Sequence, residues 1–304
     1  MLNAQTAEYK QPEFTLNLAI TGVGVDVRLN DISIEFEMFS GHSTMSYDVN
    51  ESIIAGVNEL KVVAFPFFGK TRSEGQTKNY HEEAEIIATL YINEQDQSNN
   101  KQVLTQIHLK PTLALGEIAR ESSRIEGLSD VVIDDKSQPL SFSTIPIERQ
   151  IVATRKSLPV QSNYPRWAWQ DGKVIEDTQE NYDSLLEYYR EIYEAYEKKD
   201  RSKLFALQDH AAEEFSVAYR LKGGVAAGHK FIETGEILDE RDVKLVKFHS
   251  KGTKLDVFAD GKMARIISIA QYHPVVFRNQ ENGLIHKLKF SFYKNKQNEW
   301  IMIR

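Results

Sequence analysis

Four side chains in the last third of the chain are of the types that move protons. His249, Asp256 and His273 stand in stretches with strand character, and Tyr219 closes a helical stretch. A general base needs such a group sheltered enough to shift its pKa and within hydrogen-bond reach of a substrate. Asp256 alternates with Leu255 and Val257, so its spacing predicts a carboxylate that faces solvent or pairs with a neighbouring lysine. Other patterns carry less chemistry. Gly223-Gly224-Val225-Ala226-Ala227-Gly228-His229-Lys230 has the outline of a phosphate loop, but its lysine falls one place late, no Ser or Thr follows, and a helix precedes it. His81-Glu82-Glu83-Ala84-Glu85 lacks a second histidine at metalloprotease spacing, and the remaining histidines are scattered singly. There is no Gly-x-Ser-x-Gly elbow, and Gly22-Val23-Gly24 is a lone Gly-x-Gly between strands that reads as a turn. No metal and no cofactor is expected.

A second group of candidates is suited to binding instead of catalysis. Glu187, Glu191 and Glu194 lie on the polar face of a helix, and Trp167 and Trp169 stand two residues apart between Pro165 and the helix. An aromatic pair in a linker packs against a domain or, if exposed, anchors a partner.

These residues need elements to position them, and the helical stretch 177–219 is the clearest. Tyr182, Leu185, Leu186, Tyr189, Ile192, Tyr193 and Tyr196 recur at steps of three and four, the apolar stripe of an amphipathic helix. Asp177 and Glu180 have the spacing of a capping box. A break at 200–202 restarts a second helix with Leu204, Leu207, Ala211, Phe215 and Ala218 on one side, and Gly223-Gly224 ends it. Residues 223–240 read equally as a short third helix or a loop.

Before this stretch the pattern is one of strands, at 14–21, 24–29, 32–39, 44–49, 60–66, 84–92 and 103–109, with further segments near 128–133, 140–145 and 150–155. Short strands separated by Gly, Asn, Asp and Pro predict an all-β sandwich over residues 1–160. Residues 161–173 read as a linker, and 174–304 as an α+β domain. Its predicted strands are 243–249, 254–258, 263–273, 284–293 and 299–303, with Asp260-Gly261 and Asn282-Gly283 as hairpin turns.

The 304 residues suit two domains, each large enough for its own core. There is no cysteine, which removes disulfides, thiolate metal sites and a cysteine nucleophile. The first twenty residues lack the pattern of a signal peptide, and no apolar run approaches a membrane span, so a cytoplasmic protein with no membrane association is expected. Charge is uneven. Residues 1–160 hold 14 Lys and Arg against 22 Asp and Glu, 161–240 hold 10 against 17, and 241–304 hold 13 against 5. Nucleic acid is therefore not an expected partner, since the acidic parts repel phosphate and the late lysines alternate with apolar residues as on a wet sheet face.

Two resemblances add to this reading. The passage from Tyr47 to Val63, with Gly56-Val57-Asn58-Glu59-Leu60-Lys61-Val62, resembles the turn and strand of jelly-roll modules in carbohydrate-active enzymes, which implies that Leu60 and Val62 face the core. The order of helices followed by an antiparallel meander resembles the cone-shaped fold of the nuclear-transport-factor-like superfamily. That likeness implies a sheet curled over the long helix, and a pocket where Asp256, His249 or His273 could transfer a proton in an isomerase or dehydratase. The lack of a chemical motif, the acidic regions and the two-domain layout together resemble a bacterial immunity protein. This implies a non-enzymatic inhibitor that neutralises a cognate toxin with a basic surface by occluding its active site, using Glu187, Glu191, Glu194, Trp167 and Trp169.

Overall fold

Strand β1, Pro12–Leu29, carries its core residues on even positions as far as Ile20 and on odd positions from Val23. The computed structural model describes residues 9–66, 80–95, 101–113, 130–134, 150–160, 164–268 and 273–303. The change of parity falls at Gly22, whose φ is +57°, where the register against β2 (Ile32–Asp48) also shifts. Without that irregularity the second half of the strand would turn Val23, Val25 and Val27 away from the core. Gly22-Val23-Gly24 is thus a bulge inside one continuous strand, not the turn its composition suggests. Gly24 lies against Phe65, where an added Cβ would come within 2.0 Å of the ring. β1 and β2 are joined by Asn30-Asp31, both at positive φ, as a two-residue hairpin turn requires.

The opposite edge of β1 has two partners. β4 (Glu85–Glu94) pairs with its first half and β3 (Glu59–Phe65) with its second. β5 (Gln102–Leu109) extends one arm, and β7 (Ile151–Lys156) with β6 (Val132–Asp134) extends the other, giving a curved antiparallel sheet of seven strands. The two arms share one core, in which Leu16, Ile86 and Ile107 meet Val27, Leu60, Val62 and Ala153. Arg155 of β7 donates from Nη1 to the Gln106 carbonyl of β5 at 2.9 Å. Leu60 and Val62 are fully buried, and the Asn58 amide holds the preceding turn by bonding both the N–H and the carbonyl of Ile54. The predicted strand at 140–145, residues 128–129 and part of the linker, 161–163, lie outside the described residues.

The chain forms two compact units, Met1–Pro165 and Arg166–Arg304. The second unit is mixed α and β. Helix α1, Gln179–Glu197, is capped by Thr178, whose hydroxyl accepts from the Asn181 N–H at 3.2 Å. The Asn181 side chain in turn bonds the Glu176 carbonyl, so the cap sits one residue later than the Asp177–Glu180 spacing predicts. Asp200 caps α2, Arg201–Ala218, through the Lys203 N–H. That helix ends before Gly223-Gly224, and these glycines, both at positive φ, instead lead into α3, Val225–Phe231. A 3-10 turn follows at Glu236–Asp239.

Two antiparallel sheets cover these helices. One has the order β14-β13-β10-β9, from Trp300–Met302, Phe292–Lys294, Met263–Ser268 and Thr253–Phe258. The other has the order β12-β11-β8, from Ile285–Lys287, Val276–Asn279 and Val243–Leu245. The predicted strand 284–293 therefore splits between sheets, with the Phe290 carbonyl taken by the Tyr189 hydroxyl at 3.2 Å. β11 is not among the predicted strands. The glycines of both predicted hairpin turns, Gly261 and Gly283, have positive φ. Residues 269–272 of the predicted strand 263–273 lie outside the described residues.

The stripe of α1 forms the core of this unit. Leu185, Tyr189, Ile192 and Tyr196 pack with Ala264, Ile266, Phe292 and Met302 of one sheet and Val275 and Phe277 beside the other. The later part of the predicted linker belongs here too. Ala168 N–H donates to Glu214 Oε1, and the Gly172 carbonyl accepts from Lys262 Nζ at 2.7 Å. Among the described residues, no helix is long and apolar enough to cross a membrane.

Gly228 of α3 meets α2 so closely that an added Cβ would lie 1.9 Å from the Ala212 carbonyl oxygen. Alanine favours an isolated helix over glycine by about 1 kcal/mol. Overpacking against rigid backbone costs about 1–3 kcal/mol and outweighs that gain when the clash is this close. Gly228→Ala is therefore expected to lower the urea midpoint, and an unchanged midpoint would show that α3 does not pack on α2 in this way.

Candidate ligand pocket

A cavity of about 770 Å³ opens in the second unit between the three helices and the stretch running from β12 to Phe290. α1 contributes Tyr196, α2 contributes Gln208 and Phe215, and α3 with the following turn contributes Phe231, Ile232, Glu233, Glu236, Ile237 and Glu240. His286, Lys287, Leu288, Lys289 and Phe290 form the facing wall. Half of the lining residues are apolar or aromatic, and the rest are polar, with carboxylates on the helical side and cations on the facing side. Phe215 and Tyr219 stack, Phe231 packs on both at a tilt with its ring 4.4 Å from that of Tyr219, and Phe231 remains 45% exposed.

The inner end is polar. Gln208 is only 5% exposed, and its Oε1 accepts from the Thr234 hydroxyl at 3.3 Å. Thr234 Oγ1 lies 3.0 Å from His229 Nδ1, and His229 Nε2 lies 2.8 Å from Asp209 Oδ1. A surface carboxylate, a buried imidazole, a buried hydroxyl and an amide thus stand in series. The first three have the order of a catalytic triad, but the Thr234 hydroxyl is buried and occupied by Gln208, so the series ends in an amide instead of a nucleophile facing substrate. Thr234 donates to Gln208 Oε1, so the amide Nε2 is left over. That Nε2 makes no hydrogen bond within the chain. It lies near enough to Tyr196 to act against the burial that pushes the Tyr196 phenol pKa up, but without hydrogen-bond geometry. Leaving such a buried donor unmet costs about 1–3 kcal/mol, so water or an occupant has reason to meet it. His286 Nε2, with Glu240 Oε2 3.9 Å away, likewise makes no hydrogen bond.

The proton-transfer candidates lie elsewhere. His249 is exposed and outside any strand. Asp256 does not face solvent; it is 2% exposed and its Oδ2 accepts from Arg265 Nε at 2.8 Å, directly across the β9–β10 register. His273 is buried, and its Nδ1 makes no hydrogen bond. Burial, reinforced by Arg265, Lys289 and Lys287, holds its pKa well below the usual histidine range. Arg265 influences both Asp256 and His273, but the carboxylate is committed to the ion pair. Tyr219 belongs to the aromatic stack.

The binding candidates are also redistributed. Trp167 and Trp169 are buried, which is the packing alternative for the pair. Glu187, Glu191 and Glu194 are exposed, but each has a cation beside it, Arg190, Lys203 and Lys198 respectively. Nothing in the sequence marks Gln208, Thr234 and Asp209 as a group, because they converge from positions without a motif. Among the described residues no group of three or more His, Cys, Asp or Glu is placed to hold a metal ion. Compared with protein-family models, curated proteins and solved structures, the chain finds no match in any of the three.

A buried ion pair is costly to break from one side. Asp256→Asn is expected to destabilise by about 3 kcal/mol in urea denaturation, because Arg265 keeps its charge without a counterion. Replacing both partners with apolar residues, Asp256→Leu with Arg265→Met, should cost much less; equal losses would contradict a structural role for the pair. For His273 the sign is opposite to that of a salt-bridged histidine. Its neutral form is favoured in the fold, so its contribution is fully present above about pH 6.5 and is lost progressively as pH falls toward its depressed folded value. His273→Gln should flatten that acid-side loss, measured as the difference in unfolding free energy between the two proteins across pH.

Proposed function

We propose that the protein is a non-enzymatic binding protein that captures a basic protein partner at the mouth of this pocket. It would act in the cytoplasm as an immunity protein does, covering the active site of a cognate toxin. The observation that carries the reading is Phe231, a half-exposed aromatic ring packed on Phe215 and Tyr219 at the rim of the cavity, with Glu233, Glu236 and Glu240 beside it and Lys287 and Lys289 on the facing wall. Aromatic residues over a preformed depression supply affinity in protein interfaces, while rim charges set the association rate and reject partners of the wrong sign. Residues 161–240, which hold the helices, have an excess of seven acidic groups. The finer fold reading belongs to the same proposal. The first unit would be a sandwich supplying further surface, and the second a nuclear-transport-factor-like cone, supported by the order of elements and by the packing of α1 against strands from two sheets.

The mouth of the pocket takes over from the helix face predicted for binding, because Glu187, Glu191 and Glu194 already have cations beside them. Purification of the tagged protein from its native lysate, followed by native mass measurement, is expected to yield a stoichiometric complex with one basic protein. Phe231→Asp should weaken that complex at least tenfold, about 1.4 kcal/mol. Joint reversal of Glu236 and Glu240 to lysine should slow association most at low salt. Reversal of Glu187, Glu191 and Glu194 should change affinity less than either. A complex indifferent to Phe231 and to both carboxylates would move the interface elsewhere.

A further inference from the structure

The inner end of the pocket specifies more than a place to bind. We infer that it receives a neutral carbonyl oxygen carried by an aromatic or branched apolar group, the chemistry of a peptide carbonyl beside a large side chain. The inference rests on reading the cavity as a binding site, and it names what enters.

Gln208 is the determinant. Its Oε1 is engaged by Thr234, whose hydroxyl is itself positioned by His229, so the amide is oriented with Nε2 left to donate. That donor is buried and makes no hydrogen bond within the chain. An occupant carrying an acceptor there replaces a water bond for bond, whereas a hydrocarbon displaces the water and leaves the donor unmet. A carboxylate would also accept from Nε2, but it would lose its hydration beside Phe215, Leu288 and Phe290, and the three glutamates of the helical side offset the attraction of Lys287 and Lys289 on the facing wall. An ammonium group finds no acceptor in Nε2. A neutral carbonyl with an apolar body meets both the donor and the walls. A cavity of about 770 Å³ admits such a group with room to spare. The same chemistry is found in a segment of a protein partner and in a free amide.

The test uses the full chain and three probes of similar shape, 3-phenylpropanamide, 3-phenylpropanoate and n-butylbenzene, titrated by ligand-detected NMR. The amide is expected to bind at least tenfold more tightly than the carboxylate or the hydrocarbon. Gln208→Leu should abolish the preference for the amide while leaving the hydrocarbon bound. Thr234→Val, which removes the positioning hydroxyl, should reduce the preference without touching the walls, and Phe215→Ala should weaken all probes alike. If Gln208→Leu fails to fold, as judged by circular dichroism, Thr234→Val carries the same test. Equal binding of amide and hydrocarbon, retention of the preference in both variants, or no binding of any probe would overturn the inference. Competition separates the two sources. If the captured basic partner displaces the amide, the carbonyl is the partner's; if amide binding holds and the partner does not compete, the cavity takes a free amide and the partner interface proposed above fails alone. A partner sensitive to Phe231→Asp with no amide binding would sink this inference alone.

Discussion

The second unit depends on burying one face of α1. Tyr189 shows why the constraint is strict. Its ring is fully enclosed between Phe290 and Phe292, and its hydroxyl donates to the Phe290 carbonyl and accepts from the Ile266 N–H at 3.3 Å. A buried phenol must find such partners, and here they are backbone groups of β10 and of the link between β12 and β13. The helix therefore does more than fill space. It takes up a carbonyl where the chain leaves one sheet for the other, so that β12 and β13 can belong to different ladders. Burial of the phenol raises its pKa far above the usual tyrosine range, which keeps the hydroxyl a neutral donor in the interior. At the opposite end of the same stripe, Tyr196 turns from core to cavity wall.

The first unit meets a comparable constraint by different means. A strand of eighteen residues cannot keep one face on a curved core with a perfect alternation. The bulge at Gly22 bends β1 and resets its parity, and the two halves then recruit different neighbours. Buried charge occupies the outer face of the second half: Asp26 accepts from Arg28 Nε at 2.7 Å and from the Ser33 hydroxyl at 2.8 Å, while Asp31 accepts from Lys61 Nζ at 2.9 Å. Arg28 and Lys61 hold the Asp31 carboxyl below the usual range against the opposing effect of its burial. Such a network adds little stability over an apolar equivalent, but it penalises any register that would separate its members.

Periodicity made α1 legible in the sequence, since five of the seven residues of its predicted stripe, Leu185, Leu186, Tyr189, Ile192 and Tyr196, are buried. The hairpin turns at Asp260-Gly261 and Asn282-Gly283 were equally legible, because backbone handedness restricts what can stand there. Composition misled where two structures share one pattern. Gly22-Val23-Gly24 is rich in turn residues, but a bulge needs the same conformational freedom. The run 284–293 alternates like one strand, yet continuity of alternation does not report which sheet a residue joins. Asp256 shows the deeper limit. Its neighbours correctly place it on the face opposite Leu255, but whether that face is wet depends on what covers it, which no local pattern encodes. The site was illegible for a related reason: Asp209, His229, Thr234 and Gln208 are brought together by the close approach of α3 to α2.

That close approach also explains why the cavity ends in an amide. Because Gly228 lets α3 lie on the backbone of α2, His229 can reach Asp209 on one side and Thr234 on the other. Thr234 then reaches Gln208, one residue before Asp209 in the same helix, so the series begins and ends on α2 and passes through α3 and the turn after it. A chain of hydrogen bonds closed on one helix fixes the rotamer of its last member more firmly than packing alone. An amide held in this way can distinguish a carbonyl from a hydrocarbon, a distinction that a shape-complementary apolar wall cannot make. In the recognition proposed above, the aromatic rim would supply contact area and the inner donor would demand one particular atom.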